Sequence, residues 1–351
     1  MDTSKQTKAK RTPGLDVVRT FAVLCVLTTH AIAYLGPMNT GIHSLKWSVY
    51  LFIRFTALTG VPLFLLLTGY LNCRKTLTPR YFRGILPVLL SYVVISAASA
   101  VAADLTGAAD FTPFAAVLGI LNFTANGYAW YVEMYVGLFL FIPFLNLLYQ
   151  ALSPRARLLF GDILLGLTAL PAVFESFRVS GTALDIVPDY WESVYPVFYF
   201  WVGALLRDCP PRIGRLKRLL AAAGASLIPV TLCWFASNPA DGYAWYMMNG
   251  FSCLTTALTA VCIFLLFYDL PLPAVPAAVF AEFSVCAFET YLFSYIVDII
   301  LYPRIRFFMP AMVLVSFLAS YVLARILRLI LHPAFVLLKD GVRRGTDRTN
   351  P

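Results

Sequence analysis

Charged residues are scarce in this sequence. Asp, Glu, Lys and Arg together make up only 13% of its 351 residues, whereas 60% are hydrophobic. A soluble domain carries about a quarter charged residues because water must hydrate its surface. The composition therefore excludes a soluble enzyme and indicates a protein of the lipid bilayer. Cysteine and histidine are also sparse: seven scattered cysteines form no CxxC motif, and only three histidines are present. We expect neither a disulfide framework nor a metal site.

Long apolar runs predict an all-α polytopic membrane protein. A helix needs about 20 apolar residues to cross the hydrocarbon core. We predict about ten transmembrane helices, at residues 15–37, 46–72, 84–103, 128–149, 158–177, 190–206, 219–236, 246–268, 277–301 and 307–331. The run 114–123 is too short to cross and is predicted to form one short interfacial or re-entrant helix.

The basic residues predict the orientation of these helices. The net charge is +9, and nineteen Lys and Arg residues fall on the amino-terminal side of the predicted membrane against four on the other. Basic loops stay in the cytoplasm, so we expect both termini to be cytoplasmic, in a plasma membrane, and no nucleic-acid partner. We predict one transmembrane domain, 15–331, between a basic cytoplasmic tail, 1–14, and a cytoplasmic carboxyl-terminal tail, 332–351.

The first predicted helix carries an arginine and a histidine on one face. Arg19 and His30 are eleven residues apart, which is almost three turns and about 16 Å along the axis. Polar groups in hydrocarbon are costly, so Arg19 is a candidate for holding an anion and His30 for transferring a proton. Alternatively, Arg19 reaches the interface, His30 bonds a neighbouring helix, and Asp16 pairs with Arg19.

Three polar residues are predicted to lie at a similar depth. His30, Arg54 and Glu133 are about five to eight residues from the outer ends of their predicted helices, or roughly 7–12 Å. If those helices adjoin, the three side chains form a reaction centre; a structural Arg54–Glu133 ion pair is the alternative. Trp130 suits an interfacial aromatic belt. Glu289, in the middle of the ninth predicted helix, needs an internal partner or a proton.

Two further elements lie near the predicted cytoplasmic side. Thr68 and Gly69 let another helix or a ligand approach closely, and Tyr70 lies near the interface. Arg80 and Arg83 share a face at a helix start, where their guanidinium groups suit phosphate oxygens. The positive-inside rule would supply the same two arginines without any ligand.

Taken in order, these elements resemble the acyltransferase-3 family of integral membrane acyltransferases. The matching elements are Gly14-Leu15-Asp16-Val-Val-Arg19 with His30 after ten further residues, Phe64-Leu-Leu-Leu-Thr68-Gly69-Tyr70, Arg80-x-x-Arg83 followed by Pro87, and Trp130-Tyr131 ahead of an apolar run that ends in Pro143. Leu65 and Thr68 depart from the family's Phe-Phe-x-x-Ser-Gly-Tyr element, in which Phe and Ser stand at those positions. The similarity extends to the region of Tyr291.

The resemblance implies transfer of an acyl group, often acetyl from acetyl-CoA, to a hydroxyl of a cell-envelope carbohydrate or similar acceptor. His30 is then the essential catalytic histidine, acting as general base, and Glu133 orients or charges it. Binding of acyl-CoA at the cytoplasmic face is assigned to Arg19, Arg80, Arg83 and Tyr70. Support of the substrate or of the structure is assigned to Asp16, Arg54, Thr68, Gly69 and Trp130.

The resemblance leaves a second function open. Some relatives carry an extracytoplasmic hydrolase-like domain that completes the transfer; this sequence shows none, so we expect the acceptor, or a separate partner, to meet the membrane domain directly. The membrane part of certain serine racemases also resembles the family without evident acyl transfer. A small-molecule transporter or exporter is therefore the alternative, with His30 and Glu133 relaying protons and Arg54 binding substrate. Either function is compatible with a homo-oligomer.

Overall fold

Fifteen α-helices account for most of the residues that the structure, a computed structural model, describes. Those residues are 11–36, 41–109, 112–175, 178–179, 182–183, 186–239, 242, 244, 248–304 and 308–344. The helices are α1 (Pro13–Leu35), α2 (Leu45–Ala57), α3 (Gly60–Asn72), α4 (Pro79–Arg83), α5 (Leu86–Thr106), α6 (Pro113–Leu121), α7 (Trp130–Ala151), α8 (Pro154–Glu175), α9 (Tyr195–Asp208), α10 (Arg215–Ala236), α11 (Leu254–Phe267), α12 (Ala274–Val285), α13 (Ala287–Leu301), α14 (Met309–Ile330) and α15 (His332–Arg344).

Two other elements lie between α8 and α9. The strands β1 (Arg178–Val179) and β2 (Thr182–Ala183) pair in antiparallel fashion. A 3-10 helix, Asp189–Val194, then leads into α9 and packs on α8. Burial in this connection, with Glu175 and Asp189 nearby, raises the pKa of Glu192 above its ordinary value.

The number of membrane crossings is lower than the apolar runs predict. Among the described residues, seven helical stretches are long and apolar enough to cross: Pro13–Leu35, Leu45–Asn72, Pro79–Thr106, Trp130–Ala151, Pro154–Glu175, Arg215–Ala236 and Met309–Ile330. The pair α12 and α13 adds an eighth if it forms one span. An all-helical, multi-pass membrane protein is thus confirmed, whereas ten spans are not.

Two of the predicted spans account for the difference. Runs 190–206 and 246–268 correspond to α9 and α11, which have 14 residues each. At 1.5 Å per residue such a helix is about 21 Å long, shorter than the roughly 30 Å of hydrocarbon. Part of each apolar run lies outside the α-helix, in the 3-10 helix or in the connection before α11. Apolar composition alone does not separate these connections from the helices.

Other predicted elements are present with altered shape. The second predicted span is formed by α2 and α3, which are separate helices, and the ninth bends by 65° between α12 and α13. A short helix, α6, lies where one was predicted, and its nine residues are about 14 Å long, too short to cross. The predicted carboxyl-terminal tail begins with a further helix, α15. Most of the predicted amino-terminal tail lies outside the described residues.

Helix α1 occupies the centre of the bundle. It packs against α2, α3, α11, α12, α13 and α14. Small and branched residues such as Ala22, Leu27 and Ala31 are buried on it, as expected of a helix that is apolar on most sides. Gly60 of α3 faces α1 so closely that a Cβ there would meet the Ala22 carbonyl and the Val26 side chain. The arginine and histidine of α1 are therefore carried into the middle of the protein.

Helices α3 and α9 cross at van der Waals contact through two glycines. A Cβ at Gly69 would overlap the carbonyl oxygen of Phe200, and one at Gly203 would overlap the carbonyl oxygen of Leu66. Small residues allow two helix backbones to approach in this way. The close approach expected at Gly69 is thus a contact with a helix, and it fixes the position of α3 beside the site described below.

Candidate functional site

A cavity of about 420 Å³ lies beside α1, between α3, α5, α7, α12, α13 and α14. This size is typical of a small-molecule site. Aliphatic and aromatic side chains make up most of the lining, and its polar and aromatic members include Arg19, Thr68, Trp130, Tyr131, Tyr135, Ser284, Tyr291 and Arg328. The lining therefore suits a ligand with an anionic part and a longer apolar part.

Arg19 directs a positive charge at this cavity. Its Nη1 donates to Ser284 Oγ at 2.6 Å and lies 3.9 Å from Asp16 Oδ1. Asp16 is buried and accepts two hydrogen bonds from Arg11, at 2.7 and 3.0 Å. That hydrogen bonding raises the pKa of Arg11 above its ordinary value. The expected pairing of Asp16 is therefore made chiefly with Arg11, which leaves the Arg19 guanidinium available to an anion.

A second arginine, which the sequence analysis did not assign to the site, lines the same cavity. Arg328 Nε lies 3.0 Å from Glu289 Oε2, and Ser91 donates to Glu289 Oε1 at 3.2 Å. The Glu289 side chain is 3% exposed and that of Arg328 33%. Glu289 thus has the internal partner that its position demanded. An arginine inside an apolar run was the signal that could have identified Arg328.

His30 lies behind the lining, next to Tyr291. Its ring stacks on the ring of Tyr128 with 3.5 Å between centroids and 23° between planes. The ring of Tyr291, which lines the cavity, is centred 6.5 Å from that of His30. Within the described chain, Nδ1 of His30 is buried and has no hydrogen-bond partner. A structural hydrogen bond from this nitrogen to a neighbouring helix is therefore absent among the described residues.

Tyr128 is held on several sides. Its hydroxyl donates to Asp298 Oδ2 at 3.0 Å, and its backbone N–H donates to Asn126 Oδ1 at 2.9 Å. Its carbonyl accepts a hydrogen bond from the Tyr291 hydroxyl. Asp298 is 2% exposed and also accepts a hydrogen bond from Ser316 Oγ at 2.6 Å. Sequence reasoning missed this group, although Asp298 interrupts an apolar run and so carried a signal.

The predicted grouping of His30, Arg54 and Glu133 is not assembled. Arg54 Nη2 donates to Asn249 Oδ1 at 2.7 Å, on the side of α2 that faces the connection before α11. Glu133 is exposed, and within the described chain it forms no ion pair with Arg54 and no hydrogen bond with His30. The sequence predicted the depth of these three residues along their helices. It did not predict which helices are neighbours or in which direction each side chain points.

Helical periodicity explains where Glu133 points. Tyr131 and Tyr135 are one turn apart on α7 and both line the cavity, so Glu133, two residues from each, faces away. Trp130 does line the cavity, and its ring stacks on Phe251 with centroids 5.5 Å apart. Among the described residues, no three acidic, His or Cys side chains lie close enough together to hold a metal ion.

The residues predicted near the cytoplasmic side are only partly brought together. Thr68 lines the cavity, and its hydroxyl donates to a backbone carbonyl one turn earlier at 2.8 Å. The ring of Tyr70 lies 5.3 Å from the guanidinium of Arg207, which also donates to the Tyr70 carbonyl at 3.0 Å. Arg80 and Arg83 are exposed on α4, outside the lining, on the helix that leads into α5.

The arrangement places two arginines at one end of the cavity and His30 beyond its other end. The arginines are Arg19, in the second turn of α1, and Arg328, in the last turn of α14. Together with Arg11 they give three positive charges against two buried carboxylates, Asp16 and Glu289. Tyr291 and His30 lie farther along, His30 being about 16 Å from Arg19 along the α1 axis. An extended ligand held by its anionic end could therefore present its other end close to the imidazole.

The family model of the acyltransferase-3 domains, described as an acyltransferase domain, matches residues 12–329. This range is nearly the whole chain, and it contains His30 and every residue of the cavity lining. No curated protein and no solved structure matches the chain.

Proposed function

The chain belongs to the acyltransferase-3 family and is a membrane acyltransferase, and from this premise we propose that it is an O-acyltransferase that uses acyl-CoA. The acyl group, most simply acetyl, passes from cytoplasmic acyl-CoA to a hydroxyl of a cell-envelope carbohydrate or similar acceptor. The observation that carries this proposal is one cavity with Arg19 and Arg328 in its lining and Tyr291, next to His30, at the same wall.

Donor binding follows from the charges at the cavity. The phosphates of coenzyme A are too polar to enter hydrocarbon, whereas the pantetheine arm is long and thin enough to extend between apolar and aromatic side chains. Guanidinium groups bind phosphate oxygens through paired N–H donors. We assign the phosphates to Arg19 and Arg328, with Arg80 and Arg83 meeting them outside the cavity. On the topology predicted from the sequence, nineteen basic residues lie on the amino-terminal side, and this charge asymmetry supports donor entry from the cytoplasm.

His30 supplies the proton transfer in this proposal. The imidazole takes the proton of the acceptor hydroxyl as the hydroxyl oxygen attacks the thioester carbonyl carbon. The new C–O bond forms, the C–S bond breaks, and the imidazolium returns the proton to the departing thiolate. The products are the O-acyl ester and the free thiol of coenzyme A, and His30 is neutral again. Glu133 faces away from the cavity, so this proposal gives it no part in the proton transfer.

The test combines transfer and binding on the full chain in lipid nanodiscs. Radiolabelled acetyl-CoA is supplied with a panel of envelope polysaccharides, and we expect label transfer that His30→Ala abolishes. Isothermal titration with coenzyme A separates the arginines from the histidine: Arg19→Ala and Arg328→Ala should each weaken affinity about 10- to 150-fold, the loss of a charged hydrogen bond. His30→Ala should bind coenzyme A nearly as well as the wild type, because imidazole acts on the acceptor proton.

Arg325 provides the matched control. It lies one turn before Arg328 on α14, is paired with Glu282 at 2.8 Å on the exposed surface, and is not part of the cavity lining. Arg325→Ala should therefore leave coenzyme A affinity unchanged. Equal effects of Arg325→Ala and Arg328→Ala would contradict the assignment of the cavity as the donor site. Arg80→Ala and Arg83→Ala are expected to weaken binding as well; normal binding by both would make them topology determinants only.

Transport without acyl transfer is the alternative outcome. If acetyl-CoA neither binds nor reacts while the reconstituted protein takes up a small molecule with protons, the acyl-CoA proposal is overturned. Label that stays on the protein after acceptor is omitted would instead indicate an acyl-enzyme intermediate. Loss of that label in His30→Ala would place the acyl group on the imidazole.

A further inference from the structure

The imidazole of His30 has one aromatic neighbour in face-to-face contact. The ring of Tyr128 lies almost parallel to it, with centroids 3.5 Å apart, whereas the ring of Tyr291 is tilted and farther away, at 6.5 Å. The connection before α7 brings Tyr128 to this place, and Tyr128 is not part of the cavity lining. It therefore contacts the histidine without bordering the cavity proposed for the donor.

The ring of Tyr128 is more firmly fixed than packing alone requires. Its hydroxyl donates to the buried carboxylate of Asp298 at 3.0 Å, and its backbone N–H and carbonyl are both hydrogen-bonded. Tyr295 packs edge-on against the same ring at 5.2 Å. Asn126, whose amide oxygen accepts the Tyr128 N–H, is itself fully buried and donates to Ser99 Oγ at 2.9 Å. A side chain held at so many points presents its ring in one orientation.

Asp298 is an unusual anchor for a hydrogen bond within an apolar helix. It is 2% exposed and lies near the end of α13, yet among the described residues it has no cationic partner. It accepts hydrogen bonds from the neutral hydroxyls of Tyr128 and Ser316, and the hydroxyl of Tyr302 lies beside it. Burying a carboxyl group in an apolar helix costs free energy, so a functional role for it is the first hypothesis. The carboxyl group fixes Tyr128 and, through it, the plane of the histidine.

We propose that Tyr128, anchored by Asp298, is a positioning residue that fixes the His30 ring and stabilises the imidazolium formed during acyl transfer. The face of an aromatic ring carries partial negative charge and attracts a cation placed over it within about 6 Å. His30 becomes such a cation when it takes the acceptor proton. The positioning of the ring follows from the contacts; the stabilisation of its charged form rests on the proposed function.

Two substitutions at Tyr128 separate the ring from its hydroxyl. Tyr128→Leu removes the stacked ring, and kcat should fall roughly 10- to 100-fold through loss of cation–π stabilisation and orientation. Tyr128→Phe keeps the ring, its edge-on contact with Tyr295 and its backbone hydrogen bonds, but loses the anchoring hydrogen bond to Asp298. We therefore expect kcat to fall about 3- to 10-fold, less than in Tyr128→Leu. The KM for acetyl-CoA should change little in either variant, because Tyr128 is outside the cavity lining.

Tyr92 supplies the control for a loss of packing. It is buried, stacks on Phe123 and donates to a backbone carbonyl at 2.6 Å, and it is not part of the cavity lining. Tyr92→Leu should lower stability as Tyr128→Leu does while kcat remains that of the wild type. Equal falls in kcat for the two leucine variants would show a general packing effect and overturn the proposal.

A measurement of ring position does not depend on activity. The chain has three histidines, at positions 30, 43 and 332, so NMR of histidine-labelled protein in nanodiscs is assigned with His43→Gln and His332→Gln. The stacked ring should shift the His30 ring protons upfield in the wild type and in Tyr128→Phe. Tyr128→Leu should move them towards the position of the exposed His332.

The two measurements distinguish failure of this inference from failure of the proposed function. If the wild type transfers no acyl group but Tyr128→Leu still moves the His30 signal, the function is wrong and the positioning of the histidine stands. If transfer occurs and the His30 signal is the same in all three proteins, the positioning role is wrong. If Tyr128→Leu does not fold, a Tyr128→Phe variant whose kcat falls as far as that of His30→Ala overturns the inference.

Discussion

Replacing Arg328 by Met should destabilise the protein more than neutralising its partner does. Arg328 Nε lies 3.0 Å from Glu289 Oε2, and the Glu289 side chain is only 3% exposed. Arg328→Met leaves this buried carboxylate without its cation, which costs about 3–5 kcal/mol for a buried pair. Glu289→Gln instead leaves the Arg328 guanidinium without its carboxylate partner, and the Arg328 side chain is 33% exposed. Solvation through the cavity reduces the cost there to roughly 1 kcal/mol.

The double variant decides whether an unpaired charge is the cause. Glu289→Gln combined with Arg328→Met removes both charges, and the amide can still accept the hydrogen bond of Ser91. We expect its stability to lie within about 1 kcal/mol of the Glu289→Gln single variant, because no charge remains buried. A double variant as unstable as Arg328→Met would refute this reasoning, since lost packing would then account for the effect.

Cysteine accessibility provides the assay for these variants. All seven cysteines are free; Cys209 is exposed, and the others are buried or half-buried. In a Cys209→Ser background, a thiol-reactive dye therefore reports thermal unfolding in detergent or nanodiscs. A loss of 3 kcal/mol should lower the melting temperature by roughly 4 °C. Arg325→Met, which breaks the exposed pair with Glu282, is the control and should change the melting temperature by less than about 2 °C.

Three further predictions use the same preparations. Gly69→Ala should cost roughly 1–3 kcal/mol because its Cβ would overlap a carbonyl of α9, whereas Gly224→Ala, with open space around it, should be neutral or stabilising. Burial and neighbouring carboxylates raise the pKa of Glu192, so its ionisation opposes folding and stability falls as pH rises through that pKa; Glu192→Gln should raise the melting temperature at pH 7 but not at pH 4. In sealed vesicles of cytoplasm-inside orientation, an impermeant maleimide should label Thr112→Cys and not Cys209; labelling of Cys209 alone would reverse the proposed orientation.

The sequence was sufficient to predict an all-helical membrane protein and the helix that carries the candidate site, but not the number of spans. Sustained apolar runs predict membrane helices because backbone groups in lipid must bond within the segment. The eleven-residue spacing placed Arg19 and His30 on one face of α1, and the structure carries that face into the centre of the bundle. Helix ends were less predictable, because α9 and α11 continue into connections that are as apolar as the helices themselves.

The residues that contact each site residue could not be predicted from the sequence, and the reason is physical. Periodicity gives the direction of a side chain relative to its own helix, but not which helix packs against that face. The ion pairs of Asp16 with Arg11, just before α1, and of Glu289 with Arg328 on α14 were therefore not predicted. The stack on His30 comes from Tyr128 in a connection, whose conformation no helical pattern describes.

The distribution of buried carboxyl groups supports the proposed separation of donor binding from proton transfer. At the end of the bundle where Arg19 lies, Asp16 and Glu289 are each paired with an arginine. Farther along, among the described residues, Asp298 is bonded only to neutral hydroxyls. A ligand phosphate would thus meet fixed positive charge at one end, while a proton arriving on His30 meets an uncharged aromatic face backed by a carboxyl group. Because about 16 Å of α1 separates the two ends, substitutions at Arg19 should act on donor affinity and those at His30 on turnover.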